Sequence, residues 1–68
     1  MVFGKVNINY AGAMDLLQLR GVGPETAEAI VKYRDSLPNK AFTSVDQLQN
    51  VPGIGPAKLA DMRSQVEL

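Results

Sequence analysis

The chain has 68 residues, which is enough for one small domain that buries about 60% of the surface its unfolded chain exposes. It contains no cysteine and no histidine, so disulfides, thiol nucleophiles, imidazole bases and the usual zinc sites are excluded. Seven basic and seven acidic residues give a net charge of zero, so overall charge does not indicate a nucleic-acid partner.

The first predicted elements are an extended lead-in and a short helix. In residues 1–9, Val6 and Ile8 alternate with asparagines, which predicts an extended segment with one buried face. The stretch "AGAMDLLQL" at 11–19 predicts a helix with Gly12 as N-cap and Asp15 in its first turn. Gly21 follows closely, as a helix-ending glycine does.

A second helix is predicted from Pro24 to about Arg34 or Asp35, because proline suits the first position of a helix. Ala27, Ile30 and Val31 give it an apolar stripe. The stretch "SLPNK" that follows is typical of a turn. Two aromatic residues nearby, Tyr33 and Phe42, are expected to pack in or near the core rather than to stack on bases.

The second half of the chain predicts two further helices. Ser44 and Gln47 match a capping box, which indicates a short helix over "SVDQLQN". Pro56 predicts the start of a last helix, with Leu59, Met62 and Val66 expected on one face. The predicted fold is therefore all-α.

The second half also repeats the first. A shift of thirty-two residues places Gly21 on Gly53 and Pro24 on Pro56, and the flanking apolar residues coincide as well. Neither copy can bury its apolar face alone, whereas two copies packed together can. We predict one domain over 1–68, with a first repeat at about 11–35, a linker at 36–42 and a second repeat at about 43–66.

Each repeat contains a turn of the form G-x-G-P. The glycines permit positive φ, and Val22 and Ile54 between them are expected to point into the core. The helix that follows offers free N–H groups, which bind phosphate readily. The chain has no G-x-x-x-x-G-K-[ST] or G-x-G-x-x-G motif that would predict another kind of phosphate loop.

The segments "LLQLRGVGPETAEAIVKYR" and "LQNVPGIGPAKLADMR" resemble the two halves of a tandem helix-hairpin-helix (SAM-like) domain. The lead-in "VNIN", the "KYR" and the stretch "FTSVDQL" make residues 5–68 similar to the ComEA-type DNA receptor domain of bacterial competence, the system of DNA uptake and transformation. The resemblance implies an all-α, duplicated fold of four to five short helices with pseudo-two-fold symmetry. It also implies an extracytoplasmic, secreted or membrane-anchored parent protein.

In that family the backbone amides of each hairpin bind phosphates of double-stranded DNA without reading sequence, one hairpin per strand across the minor groove. Carried over to this chain, the resemblance implies DNA contacts at Arg20, Gly21, Val22, Gly23, Thr26, Gly53, Ile54, Gly55, Ala57 and Lys58. Two residues depart from the family pattern. Arg20 replaces a proline, and Glu25 places a carboxylate where a phosphate would bind.

Two alternative functions stay open at this stage. The same fold docks on protein in the extrinsic lumenal protein of photosystem II, and it also occurs as an accessory DNA-binding domain of larger DNA-processing enzymes. The carboxylates are scattered, so we predict no enzymatic activity, no metal and no cofactor. No apolar run is long enough to span a membrane and no signal peptide is predicted, so we expect the chain itself not to contact a membrane.

Overall fold

Short helices joined by tight turns dominate the computed structural model, which describes residues 4–68. The first three residues of the predicted lead-in lie outside the described residues. The elements in chain order are β1 (Val6–Asn7), α1 (Ala13–Leu16), α2 (Pro24–Ser36), a 3₁₀ helix at Pro38–Lys40, a second 3₁₀ helix at Val45–Asn50, α3 (Pro56–Arg63) and β2 (Val66–Glu67). The described part of the chain thus holds five helical segments, and the predominantly helical prediction is confirmed.

The helix starts follow the predicted capping residues. Gly12 is the N-cap of α1, and its N–H donates to Asp15 Oδ2 at 3.0 Å. Ser44 caps the 3₁₀ helix at Val45–Asn50, and its N–H donates to Gln47 Oε1 at 3.2 Å. Helix α1 is shorter than predicted, because the chain tightens after it into i→i−3 hydrogen bonds such as Leu19 N to Leu16 O.

The end of the chain differs from the prediction. Helix α3 stops at Arg63, so Val66 does not continue its apolar face but lies in β2. This strand pairs in parallel with β1, with Val6 opposite Val66. The all-α prediction is therefore wrong in this detail. A pair of two-residue strands has no periodicity that a sequence could show, and its partners stand at opposite ends of the chain.

The core repeats the sequence match between the two halves. Fourteen apolar residues of the described chain are buried, and ten of them form pairs separated by thirty-two positions. These pairs are Leu16 and Leu48, Leu19 and Val51, Val22 and Ile54, Ala27 and Leu59, and Ile30 and Met62. The other four are Ile8 of the lead-in, Ala11 just before α1, Phe42 of the linker and Val66 of β2. Matching residues of the two halves therefore build most of one shared core.

Two polar side chains tie the lead-in to this core. The guanidinium of Arg34, whose side chain is 13% exposed, donates from Nη1 to the carbonyl oxygens of Ile8 and Ala11 at 2.9 and 2.6 Å. The side-chain amide of Asn9 donates to Phe42 O and accepts from Phe42 N, at 3.1 and 2.7 Å. The rings of Tyr33 and Phe42 pack with centroids 5.9 Å apart, as predicted.

Candidate nucleic-acid interface

The two G-x-G-P turns have nearly the same backbone. Gly21 and Gly53 have φ of +83° and +94°, in the left-handed region that favours glycine. Gly23 and Gly55 are the N-caps of α2 and α3, with φ of −95° and −97° and ψ of −177° and −175°. The first glycine of each turn reverses the chain, and the second leads it into a helix that starts at proline.

Neither the backbone angles nor the packing of the described chain requires glycine at the second glycine of each turn. Gly23 and Gly55 have extended backbones that any residue adopts, and a Cβ on either would meet no atom of the described chain within 4 Å. Serine, asparagine or aspartate would also cap the helix slightly better than glycine. What a side chain here would obstruct is the open space in front of the turn. That space is where a ligand would approach the backbone.

The residues between the glycines hold the turns in place. Val22 and Ile54 are buried, which confirms the prediction that they point into the core. Their amides are engaged internally, because Val22 N donates to Leu19 O at 3.2 Å and Ile54 N to Val51 O at 3.0 Å. The DNA contacts predicted at Val22 and Ile54 therefore lack a free amide, and the buried side chains of these residues hold the turns in place instead.

Four amides in each turn remain without an acceptor among residues 4–68. They are those of Gly21, Gly23, Glu25 and Thr26 in the first turn, and those of Gly53, Gly55, Ala57 and Lys58 in the second. The two sets occupy the same positions after a shift of thirty-two. The amide of Glu25 is not among the predicted contacts, because the sequence at this position indicates only a carboxylate that competes with a phosphate. At a helix N-terminus such amides favour an anion.

The charges around the two turns differ. The first turn is flanked by the exposed Arg20, whose N–H donates to Gln65 Oε1 at 3.0 Å, and by the exposed Glu25. The second turn has Pro52 and Ala57 at these positions, with Lys58 next in the chain. The first turn thus carries both signs of charge, and the second carries only a positive one.

The two turns lie side by side through reciprocal contacts. A Cβ on Gly21 would lie 3.8 Å from Lys58 Cε, and one on Gly53 would lie 3.7 Å from Thr26 Oγ1. Thr26 and Lys58 are themselves matched under the shift of thirty-two. The side chain that follows each turn thus lies close to the first glycine of the other turn.

The described residues show no group of carboxylates that could hold a metal ion. Over the same residues, no helix combines the length and the apolar character that crossing a bilayer requires.

Three relatives cover nearly the whole chain. An uncharacterized protein of Haemophilus influenzae is 42% identical over 97% of this chain. ComE operon protein 1 of Bacillus subtilis is 38% identical over 90%, and endonuclease/exonuclease/phosphatase family domain-containing protein 1 of Xenopus laevis is 36% identical over 91%. The chain spans 58%, 29% and 11% of the lengths of these three proteins, respectively. The predicted resemblance to a ComE protein is thus confirmed.

The family itself follows from a second match. Residues 2–67 fit the family model described as a helix-hairpin-helix motif, and this range includes both turns and every helix of the structure. The match agrees with the two short-helix, turn and helix units described above. The chain therefore belongs to the helix-hairpin-helix family.

Proposed function

We propose that this chain binds the phosphates of double-stranded DNA through the free amides of its two turns, independently of sequence. The observation that carries the proposal is the open approach at Gly23 and Gly55, beside two matched sets of free amides. Backbone amides that bind phosphate position a protein without reading bases. Membership of the helix-hairpin-helix family and the similarity to a ComE protein support DNA as the source of the phosphate.

Two turns with the same geometry also suit the two strands of a duplex, whereas a single phosphate would need only one turn. The matched core positions and the reciprocal contacts of Thr26 and Lys58 support a duplicated domain with pseudo-two-fold symmetry. In that arrangement each turn binds one strand across the minor groove. The affinity of the isolated domain is expected to be low, because the net charge is zero. If two to four phosphates are neutralised, affinity falls with salt with a logarithmic slope of about −2 to −4.

The relatives also suggest in which kind of larger protein this contact with DNA would serve. Similarity to ComE operon protein 1 favours DNA uptake in competence by an extracytoplasmic protein, and several domains or copies would then raise the affinity. The similarity to an endonuclease/exonuclease/phosphatase family domain-containing protein favours an accessory DNA-binding domain instead. The proposed contact with DNA is the same in both cases.

An amide NMR titration tests the proposal directly. A mixed-sequence duplex is added at low salt and then at high salt, and a second duplex of unrelated sequence serves as the control. We expect the amides of Gly21, Gly23, Gly53 and Gly55 to shift together, equally with both duplexes, and the shifts to reverse with salt. If no amide of either turn shifts at low salt, the proposal is overturned.

A second candidate function, docking on a protein, is favoured by one observation. Tyr10 and Met14 are 86% and 83% exposed, and Leu17 is 43% exposed, so apolar side chains face solvent around α1. The sequence had not indicated such an unpaired surface. This candidate requires the Met14→Glu variant to lose a protein partner while the DNA-dependent shifts of the turns stay unchanged.

A further inference from the structure

The side chain that follows each turn lies close to the other turn. The Cε of Lys58 is near Gly21 and the hydroxyl of Thr26 is near Gly53, each within contact distance of the position that a Cβ on that glycine would take. We infer that each turn binds its phosphate with the help of a side chain from the other unit. Lys58 supplies its ammonium to the phosphate bound by the first turn, and Thr26 donates its hydroxyl to the phosphate bound by the second. The inference rests on the proposed function, and it reverses the assignment that chain order suggests.

The lysine is available for this role. Lys58 is half-buried, so its stem is held against the protein, and its ammonium forms no ion pair with a carboxylate of residues 4–68. Asp61, three residues further along the same helix, forms no ion pair with it among the described residues. The ammonium stands one bond beyond the Cε that lies near Gly21. A phosphate bound by the amides of Gly21 and Gly23 would lie within its reach.

The charges of the first turn explain why a lysine is needed there. Glu25 places a carboxylate beside the free amides of that turn, whereas the second turn has Ala57 at the matching position. The ammonium of Lys58, which belongs to α3, offsets the carboxylate of Glu25 and restores the attraction of the first turn for a phosphate. The second turn has no carboxylate to offset, and a neutral hydroxyl donor is sufficient.

The threonine completes the reciprocal arrangement. Thr26 is half-buried, and its hydroxyl has no hydrogen-bond partner among the described residues. A hydroxyl rotates freely and donates one hydrogen bond, so it suits a phosphate oxygen in the space next to Gly53. Each turn then needs a side chain from the other unit. Loss of Lys58 therefore weakens the phosphate site of the first turn, and loss of Thr26 weakens that of the second.

A double-mutant cycle distinguishes the two assignments. The affinity for one duplex is measured at low salt with and without Lys58→Gln. The substitution is introduced into three backgrounds, namely the wild type, Gly23→Val and Gly55→Val. Valine suits the extended backbone at both positions, and its Cβ would meet no atom of the described chain within 4 Å, so each variant is designed to block the approach to one turn only. We expect Lys58→Gln to weaken binding about fivefold in the wild type and in Gly55→Val, and less than twofold in Gly23→Val.

The opposite pattern, with the loss abolished by Gly55→Val, overturns the inference. Lys32→Gln is the charge-matched control, since Lys32 is an exposed lysine on α2. A loss from Lys58→Gln no larger than that from Lys32→Gln in every background also overturns it. Lys58→Arg keeps the charge and is expected to keep the affinity, and Thr26→Val should give the reciprocal dependence. If the wild type binds no duplex, the proposed function itself fails, which is a separate result.

Discussion

Residues 21–24 and 53–56 turn the chain through nearly the same backbone angles, yet the residues around them differ in charge. The first glycines differ by 11° in φ, at +83° and +94°, and the second glycines by only 2°, at −95° and −97°. Glu25 in the first unit corresponds to Ala57 in the second, and Arg20 corresponds to Pro52. The same turn geometry is thus built with two different electrostatic surroundings.

A turn of this kind is determined by its buried residue and its left-handed glycine. The buried Val22 and Ile54 and the left-handed glycines fix the backbone, and the exposed neighbours are free to vary. Glu25 is compatible with the first turn because a carboxylate stabilises a helix N-terminus. A neighbouring charge can therefore change what a turn binds without changing how it folds.

The largest expected effect comes from Gly55→Asp. Aspartate is a better N-cap than glycine, and its carboxylate would accept from the amides of Ala57 and Lys58. We expect the free energy of unfolding to stay the same or to rise by a few tenths of a kcal/mol. The affinity for duplex DNA should fall about fiftyfold, because the carboxylate occupies the phosphate site and repels a phosphate there. Denaturation and fluorescence anisotropy measure the two quantities on one sample.

The matched control is Asn39→Asp, which adds the same charge on the connector between the two units. Asn39 has a φ of 59°, and asparagine and aspartate both tolerate this conformation. We expect its affinity for DNA to change less than twofold. If Gly55→Asp retained wild-type affinity, the amides of the second turn would not be the phosphate site.

The equivalence of the two backbones can be tested by stability. Gly21→Ala and Gly53→Ala each force a side chain into the left-handed region, which costs about 1–2 kcal/mol in the free energy of unfolding. Gly23→Ala has no such strain and should cost less, through the weaker N-cap alone. Urea denaturation measures all three variants. A cost at Gly21 much smaller than at Gly53 would show that the first turn can relax.

An exchange of the differing charge tests the electrostatic half of the comparison. Glu25→Ala gives the first turn the residue of the second, and Ala57→Glu does the reverse. We expect Glu25→Ala to strengthen DNA binding about fivefold and Ala57→Glu to weaken it about fivefold at low salt, which corresponds to about 1 kcal/mol. Both effects should shrink at high salt, because these side chains are exposed. Equal affinities for all three proteins would mean that this position does not face the phosphate.

Local rules were sufficient to predict the turns and most helix starts. The prolines at 24 and 56, the capping residues Gly12 and Ser44 and the glycine pairs each act on residues within one or two turns of the chain. The shift of thirty-two then predicted which apolar residues meet in the core. The backbone geometry of the two turns was therefore accessible from sequence.

Contacts between distant residues could not be predicted in this way. The pairing of Val6 with Val66 joins the two ends of the described chain. Arg34 stands at the end of the predicted second helix, yet its guanidinium donates to the carbonyl oxygens of Ile8 and Ala11. Lys58 of the second unit likewise lies close to Gly21 of the first. Each arrangement depends on tertiary packing between residues far apart in sequence, which neither periodicity nor spacing encodes.

The weakest effect is expected for Arg63→Ala, which tests whether Arg63 contributes to DNA binding. Chain order makes Arg63 a candidate beside Lys58, but its guanidinium pairs with the carboxylate of Asp46. Both side chains are more than half exposed, so the loss in the free energy of unfolding should stay below about 0.5 kcal/mol. DNA affinity should fall less than twofold, because Asp46 already compensates the charge. Asp46→Asn releases Arg63 without removing it, and a matching small gain in affinity would show that the pair, rather than distance from the DNA, keeps this arginine from contributing.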